Sequence, residues 1–307
     1  MNVSEAVEQY LATKEAMGVP YKWGRAVLNG LSRYVGDMSL KAVTTGLVSS
    51  FLEKSATSDR GWMLRYRVLK VFFDYWIGRN ELRAMPLPPL RRPAPARLTV
   101  PYIYSVSELR RLLDTASSKR RATRLDFSPS TFRTLLLFLY ATGARLNETV
   151  SLKQQDVDLN KGTITFRRPY LATERTIPMS PHLRANLRKY ARSFVCRDGQ
   201  KAFFRTIDEK PVRAINVTVS FQNLRHRAGI TRPGENRHQP KLRDLRRTFA
   251  VHCMRSWLRD GKDLRTMLPI LGAYLGNFSL TSTEAYLAAV PERFLGHLLR
   301  LGSAPST

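Results

Sequence analysis

The sequence predicts a mainly α-helical chain with a small antiparallel β-sheet, an α+β arrangement in two domains. Three observations carry that expectation. Between Arg60 and Gly78, Trp62, Tyr66, Leu69, Phe73 and Trp76 recur at alternating four- and three-residue steps, the spacing of one helix face. The stretch Met85-Pro-Leu-Pro-Pro-Leu-Arg-Arg-Pro-Ala-Pro-Ala-Arg97 is too proline-dense to continue a helix and reads as an extended linker. Two short β-rich segments, residues 162–168 and 175–179, follow one another closely enough to pair as antiparallel strands. The expected division is residues 1–84 as a helical domain, 85–103 as the linker and 104–307 as the second domain.

In the first domain, Ser4 is a candidate N-cap for a helix carrying Ala6, Val7, Tyr10 and Leu11, and Gly18, Gly36 and Gly46 punctuate the helical patterns that follow. The aromatic stripe of 60–78 is expected in the core, because helical spacing is what burial requires. Its opposite side carries Arg60, Arg65, Arg67 and Lys70, a face suited to phosphates or, alternatively, a solvated one. Beyond the linker, Ser105 or Ser107 caps an amphipathic helix. A nearly all-apolar segment from Ser130 to Tyr140 is expected as a buried helix stopping at Gly143. After the β segments the remainder reads as helical.

With 51 Lys+Arg against 24 Asp+Glu, the formal net charge is +27. Self-repulsion on that scale disfavours a compact state, and a polyanionic partner is the economical explanation. Charge alone leaves a general basic RNA- or nucleoid-binding protein open. The 43% hydrophobic content supports a core in each domain. The two cysteines, Cys196 and Cys253, form no CxxC pair and have no histidine cluster, so neither a disulfide framework nor a zinc site is expected. No basic-then-apolar leader opens the chain and no apolar run reaches membrane-spanning length, which places the expected protein in the cytoplasm, associated with the nucleoid and with no membrane partner.

Two arginine motifs carry the chemistry. The first is Ala-Thr-Gly-Ala-Arg-Leu-Asn-Glu at 141–148; the second is Asp-Leu-Arg-Arg-Thr-Phe-Ala at 244–250. Downstream stand Tyr-Leu-Gly-Asn at 274–277 and Ser-Thr-Glu-Ala-Tyr-Leu at 282–287. A phosphodiester repels nucleophiles and gathers charge in its transition state, so attack on it without a metal needs fixed cations. The planar, permanently charged arginine fork supplies them. Arg145 and Arg246 are the expected pair at the phosphate. Glu148, three residues past Arg145, orients a guanidinium, caps the next helix or forms a structural ion pair.

In order and spacing, these motifs resemble the tyrosine recombinase (phage integrase-like) family over most of residues 105–290, with the N-terminal part more loosely similar to a core-binding, SAM-like DNA-binding domain. The resemblance implies a recombinase catalytic domain in which Tyr286 attacks the phosphorus, leaving a 3′-phosphotyrosine and a free 5′-hydroxyl. The broken bond's energy is retained in that link, so no cofactor, ATP or metal is implied. It also implies double-stranded DNA with a specific recombination site as partner, and self-association on DNA. The Leu-Pro-Ile-Leu-Gly-Ala-Tyr-Leu-Gly-Asn form at 268–277 looks most like transposon-borne recombinases encoded beside others, acting in integration, excision or transposition of a mobile element. Arg65, Arg67, Lys70, Arg167 and Arg168 are the expected DNA contacts. Tyr274 is a rival nucleophile, and the apolar set Phe294, Leu295, Leu298 and Leu299 docks on a neighbouring protomer or packs on its own domain.

Three positions depart from the family pattern. Arg243 stands where the second box usually begins with histidine, keeping a cation but losing a titratable proton. Asn277 replaces a histidine or tryptophan and can donate a hydrogen bond but carry no proton. The expected hairpin lysine is missing, and Tyr170 stands in its place by count. Neither His238 nor His252 is placed to substitute. General acid–base catalysis is worth about 10²–10⁴-fold, so these losses also fit a catalytically weak or inactive DNA-binding subunit of a multi-recombinase complex.

Overall fold

Asn2, rather than Ser4, caps the first helix: its side chain accepts from the Glu5 amide at 2.8 Å while the Glu5 carboxylate accepts from the Asn2 amide at 2.9 Å. Glu at the third helical position is what makes Asn2 the better cap, since the reciprocal bond satisfies two amide donors at once. The computed structural model describes residues 1–18, 21–56, 58–91, 101–118, 128–168, 173–193, 198–232, 239–277 and 286–287. Within that range, the chain forms two compact units, Met1–Leu98 and Thr99–Thr307.

In the first unit, α1 (Val3–Ala16), α2 (Lys22–Val35), α3 (Thr45–Ser55) and α4 (Asp59–Ile77) pack around one core. The aromatic stripe of α4 is buried as expected at Trp62, Leu69, Phe73 and Trp76; Tyr66 is half-buried and stacks on Trp62 with ring centroids 5.1 Å apart. Phe72 and Val68 widen the stripe, so α4 is the central helix of the unit. On its outer side Arg67 is exposed, Lys70 is bound to Asp74 at 2.7 Å, and Arg65 folds back on the Gly61 carbonyl. The first residues of the proline-rich stretch are no free spacer. Leu87 joins the core, and Arg91 lies 4.9 Å over the Trp62 ring and pairs with Glu53. Residues 92–100 lie outside the described range.

The second unit begins with α5 (Val106–Ser117), where Ser105 is the cap and Glu108 completes a capping box. Next comes α6 (Pro129–Thr142), one residue longer at its start than the sequence expectation because Ser128 caps it and Pro129 takes the first turn. Short α7 (Leu146–Val150) leads to strands β1 (Val157–Asp158), β2 (Thr163–Arg168) and β3 (Thr173–Pro178). These pair antiparallel in the order β1-β2-β3, with Ile164 opposite Ile177 and Phe166 opposite Arg175. Four helices follow: α8 (Pro181–Ala191), α9 (Ala214–Arg227), α10 (Asp244–Arg259) and α11 (Leu264–Leu275). Buried α6 is the hub, packing against α5, α8 and α10 and placing Phe138 against Phe166 of the sheet. Tyr104 fixes the start of α10 from outside: its amide donates to Thr248 Oγ1 at 3.0 Å and its hydroxyl to the Lys241 carbonyl at 3.1 Å. No helix among the described residues is long and apolar enough to cross a membrane.

Candidate active site

Two glycine-capped helix ends and the start of α10 converge on one place. Gly143 ends α6 with φ +60°, and Gly276 ends α11 with φ +66°, both in the left-handed region where glycine alone is unstrained. A helix leaves its last carbonyls without intrahelical donors, and its C-terminus carries partial negative charge. At α11 three consecutive carbonyls are each taken by a different arginine. Arg175 Nε donates to Tyr274 O at 3.1 Å, Arg246 Nη2 to Leu275 O at 3.0 Å, and Arg145 Nη1 to Gly276 O at 3.3 Å.

Arg246 is the best anchored of the three. Besides Leu275, it donates to the Gly143 carbonyl at 2.7 Å and to Asn277 Oδ1 at 2.7 Å, so one guanidinium joins both helix ends. Burial pulls its pKa below the usual guanidinium value; the Tyr286 side chain, within hydrogen-bonding reach, opposes that fall, and the nearby Arg145 charge adds to it. Tyr286 thus meets Arg246, half-buried against the α10–α11 cluster that includes Val251, Met254 and Leu271. Arg246 holds the carboxamide of Asn277 by its oxygen, a bond the sequence did not announce.

Glu148 is the other organiser. Its carboxylate, 12% exposed, accepts from the Arg145 amide at 3.0 Å and from Arg145 Nη1 at 3.1 Å, closing the first turn of α7. It also accepts both terminal nitrogens of Arg175, each at 3.0 Å. The readings of Glu148 left open by the sequence are therefore joined: it caps α7, and the ion pair is what orients the arginines.

Arg175 is the residue the sequence analysis missed. A signal was present: on a strand, side chains alternate, so Arg175 shares the inward face with buried Ile177, and a cation on a core face demands buried partners. Its guanidinium lies 4.4 Å over the Phe166 ring.

Of the other expected residues, Arg243 is exposed at the N-cap of α10 and makes no ion pair among the described residues. Together with Arg145 and Arg246 it rims a cavity of about 600 Å³ whose floor includes Leu139, Phe221 and Leu242. Arg167 stands apart on β2, bound to Asp156 and Glu174, each at 2.9 Å. Tyr274 points to the other side, its hydroxyl donating to Pro178 O at 3.4 Å; burial pushes its pKa up to about 12. His252 is a packing residue of the α6–α10 interface, 3.0 Å from the Tyr140 hydroxyl. The Arg168 side chain, Tyr170, Cys196, His238 and the apolar tail at 294–299 lie outside the described residues.

A Cβ on Gly143 would meet Leu275 Cδ2 and Phe249 Cδ1, both at 2.6 Å, in a backbone conformation already strained for other residues. Gly143→Ala is therefore expected to cost about 1–3 kcal/mol of stability through overpacking, read as a lower urea midpoint at unchanged slope.

Comparison with known proteins places these residues in context. Residues 105–292 match the family model described as the phage integrase family. The integrase/recombinase y4rB of Sinorhizobium fredii is 27% identical over 305 residues, covering 97% of this chain and 96% of its own. The tyrosine recombinase XerA of Thermococcus kodakarensis is 26% identical over 261 residues, covering 84% and 80%. Among solved structures, the Tn1549 transposon integrase in complex with transposon right end DNA superimposes with a TM-score of 0.70 at 15% identity, covering 99% of this chain and 100% of that one. A lambda integrase tetramer bound to a Holliday junction gives 0.66 at 16% identity, covering 93% and 77%.

Proposed function

The chain belongs to the phage integrase family, and on that premise we propose that its second unit cleaves and rejoins DNA at a specific site, with Tyr286 as nucleophile, in the movement of a mobile element. The observation that carries this reading is the convergence of Arg145 and Arg246 on the end of α11 with Tyr286 against Arg246. Two forks fixed by backbone carbonyls form a preorganised cationic seat, whose charge needs no rearrangement as the phosphate gains negative charge. The tyrosine oxygen forms a bond to phosphorus as the bond to the 5′-oxygen breaks. The product is a 3′-phosphotyrosine and a 5′-hydroxyl, and attack by another 5′-hydroxyl reverses the step on a new partner strand.

The first unit is read as a DNA-binding unit, with exposed Arg67 on α4 as its clearest phosphate contact. Lys70 and Arg167 hold intramolecular carboxylates and Arg65 a backbone carbonyl, so their DNA contacts require exchange of those partners. The lambda integrase tetramer supports assembly of several copies on one DNA; partnership with other recombinases rests on the transposon-like motif at 268–277.

A weaker catalyst, or a DNA-binding subunit that needs an active partner, is favoured by one observation: neither Arg243 nor Asn277 can give up and retake a proton as a histidine does, and the Asn277 oxygen is already held by Arg246. The pH profile separates these roles from a hidden histidine. The single-turnover cleavage rate is expected to show no inflection between about pH 6 and 7, where histidine titrates. Arg243→His is expected to introduce one. An inflection in the unmodified protein would show that a histidine takes part.

The function itself is tested with a nicked duplex bearing the end sequence of the element that encodes the chain, in the presence of EDTA. Loss of the short strand past the nick traps the covalent intermediate, seen as a retarded band on a denaturing gel. Specific binding without that band would favour the subunit reading.

A further inference from the structure

We propose that Arg175 is a positioning residue for DNA cleavage: by occupying both oxygens of Glu148, it keeps the Arg145 fork open toward the phosphate. The inference rests on the recombinase reading above and assigns a part to a residue that the motifs do not include.

The geometry is asymmetric. Arg175 meets Glu148 fork to fork, Nη1 to Oε1 and Nη2 to Oε2, each at 3.0 Å, the strongest arrangement open to an arginine and a carboxylate. Arg145 receives only an end-on side-chain contact, through Nη1. Its Nε and Nη2 make no hydrogen bond among the described residues, which leaves one edge of its fork for a phosphate. Arg175 is itself locked by the Tyr274 carbonyl and by the face of Phe166, and is only 15% exposed. It therefore cannot swing out to the phosphate as Arg145 can, with 41% exposure.

Without Arg175, the Glu148 carboxylate would lose its fork-to-fork partner, with Arg145 already hydrogen-bonded to it and the Arg246 charge nearby. The favoured response is a full fork-to-fork pair with Arg145, which turns Arg145 away from the phosphate and neutralises it. Arg175 thus acts as a second cation that satisfies Glu148 so that Arg145 does not have to. The same side chain ties β3 to the end of α11.

The test pairs two substitutions in the intact chain. Arg175→Ala is expected to slow single-turnover formation of the covalent band by about 10²-fold, the cost of a misplacement of about 1 Å at a reacting centre, with little change in affinity for the nicked duplex. Adding Glu148→Gln removes the charge that captures Arg145 and should recover most of that rate. A merely structural Arg175 predicts the opposite, a double variant as slow as Arg175→Ala or slower. Arg175→Lys keeps the charge without the fork and provides the same comparison if the alanine variant folds poorly. An unchanged rate in Arg175→Ala, or no relief by Glu148→Gln in either background, overturns the inference.

A second readout does not need cleavage. Replacing the scissile phosphate with an uncharged methylphosphonate should weaken binding to the starting protein by more than it weakens binding to Arg175→Ala, with the difference restored in the double variant. Equal losses in all three overturn the inference. If these binding losses follow the expected order while the starting protein forms no covalent band, the recombinase reading fails and the assignment of Arg175 stands.

Discussion

Arg246→Ala is expected to lower the single-turnover rate of covalent-complex formation by at least about 10³-fold, since loss of one preorganised donor to a developing oxyanion already costs 10²–10³-fold. The effect has two sources that can be separated. One is electrostatic, the removal of a fixed cation from the phosphate. The other is architectural, because Gly143 O, Leu275 O and Asn277 Oδ1 all lose the donor that joins α6, α10 and α11. Unpaired acceptors there should lower thermal stability, at about 1–3 kcal/mol for each one kept from water. Arg246→Lys preserves the charge but cannot span two helix ends at once, and is expected to remain at least about 10²-fold slow. If the folded Arg246→Ala protein cleaves at an unchanged rate, Arg246 is a structural tie alone.

Tyr286→Phe has the other large expected effect, and the cleanest. Phenylalanine keeps the ring that packs on the buried α10–α11 cluster, so fold and DNA affinity should be retained. Only the attacking oxygen is lost, and covalent product should fall below detection. Tyr274→Phe should leave product intact, because that hydroxyl faces the Pro178 carbonyl at the end of β3.

What could be read from the sequence follows from the range of the forces involved. The buried stripe of α4 was legible because a helical period is a local pattern, and the stop of α6 at Gly143 because a left-handed cap calls for glycine. Caps such as Ser105, with Thr44, Ser58, Ser128 and Ser180, act over three residues and so are local signals of helix starts. The first cap was misread only because Ser4 and Asn2 are both capping types, and the reciprocal Glu5 bond decided between them. At the site, Arg145, Arg246 and Tyr286 were named by motif, and the structure brings them together from three separate segments.

The rest was hidden because it depends on long-range pairing. Arg175 reaches Glu148 from 27 residues away, and Tyr274 from 99, so no local pattern could announce either bond. The bond that fixes the Asn277 carboxamide comes from Arg246, 31 residues earlier, to its carbonyl oxygen. Arg167 was read as a DNA contact because its carboxylate partners, Asp156 and Glu174, come from flanking elements that only the hairpin brings alongside.

The central claim, that Tyr286 takes the phosphate, is tested most directly by isolating the protein–DNA adduct, digesting it with protease and nuclease, and locating the residual nucleotide by mass spectrometry. A nucleotide mass on the peptide containing Tyr286, carried through a 3′-phosphate, is the predicted result; the same mass on Tyr274 or on any other residue would contradict it.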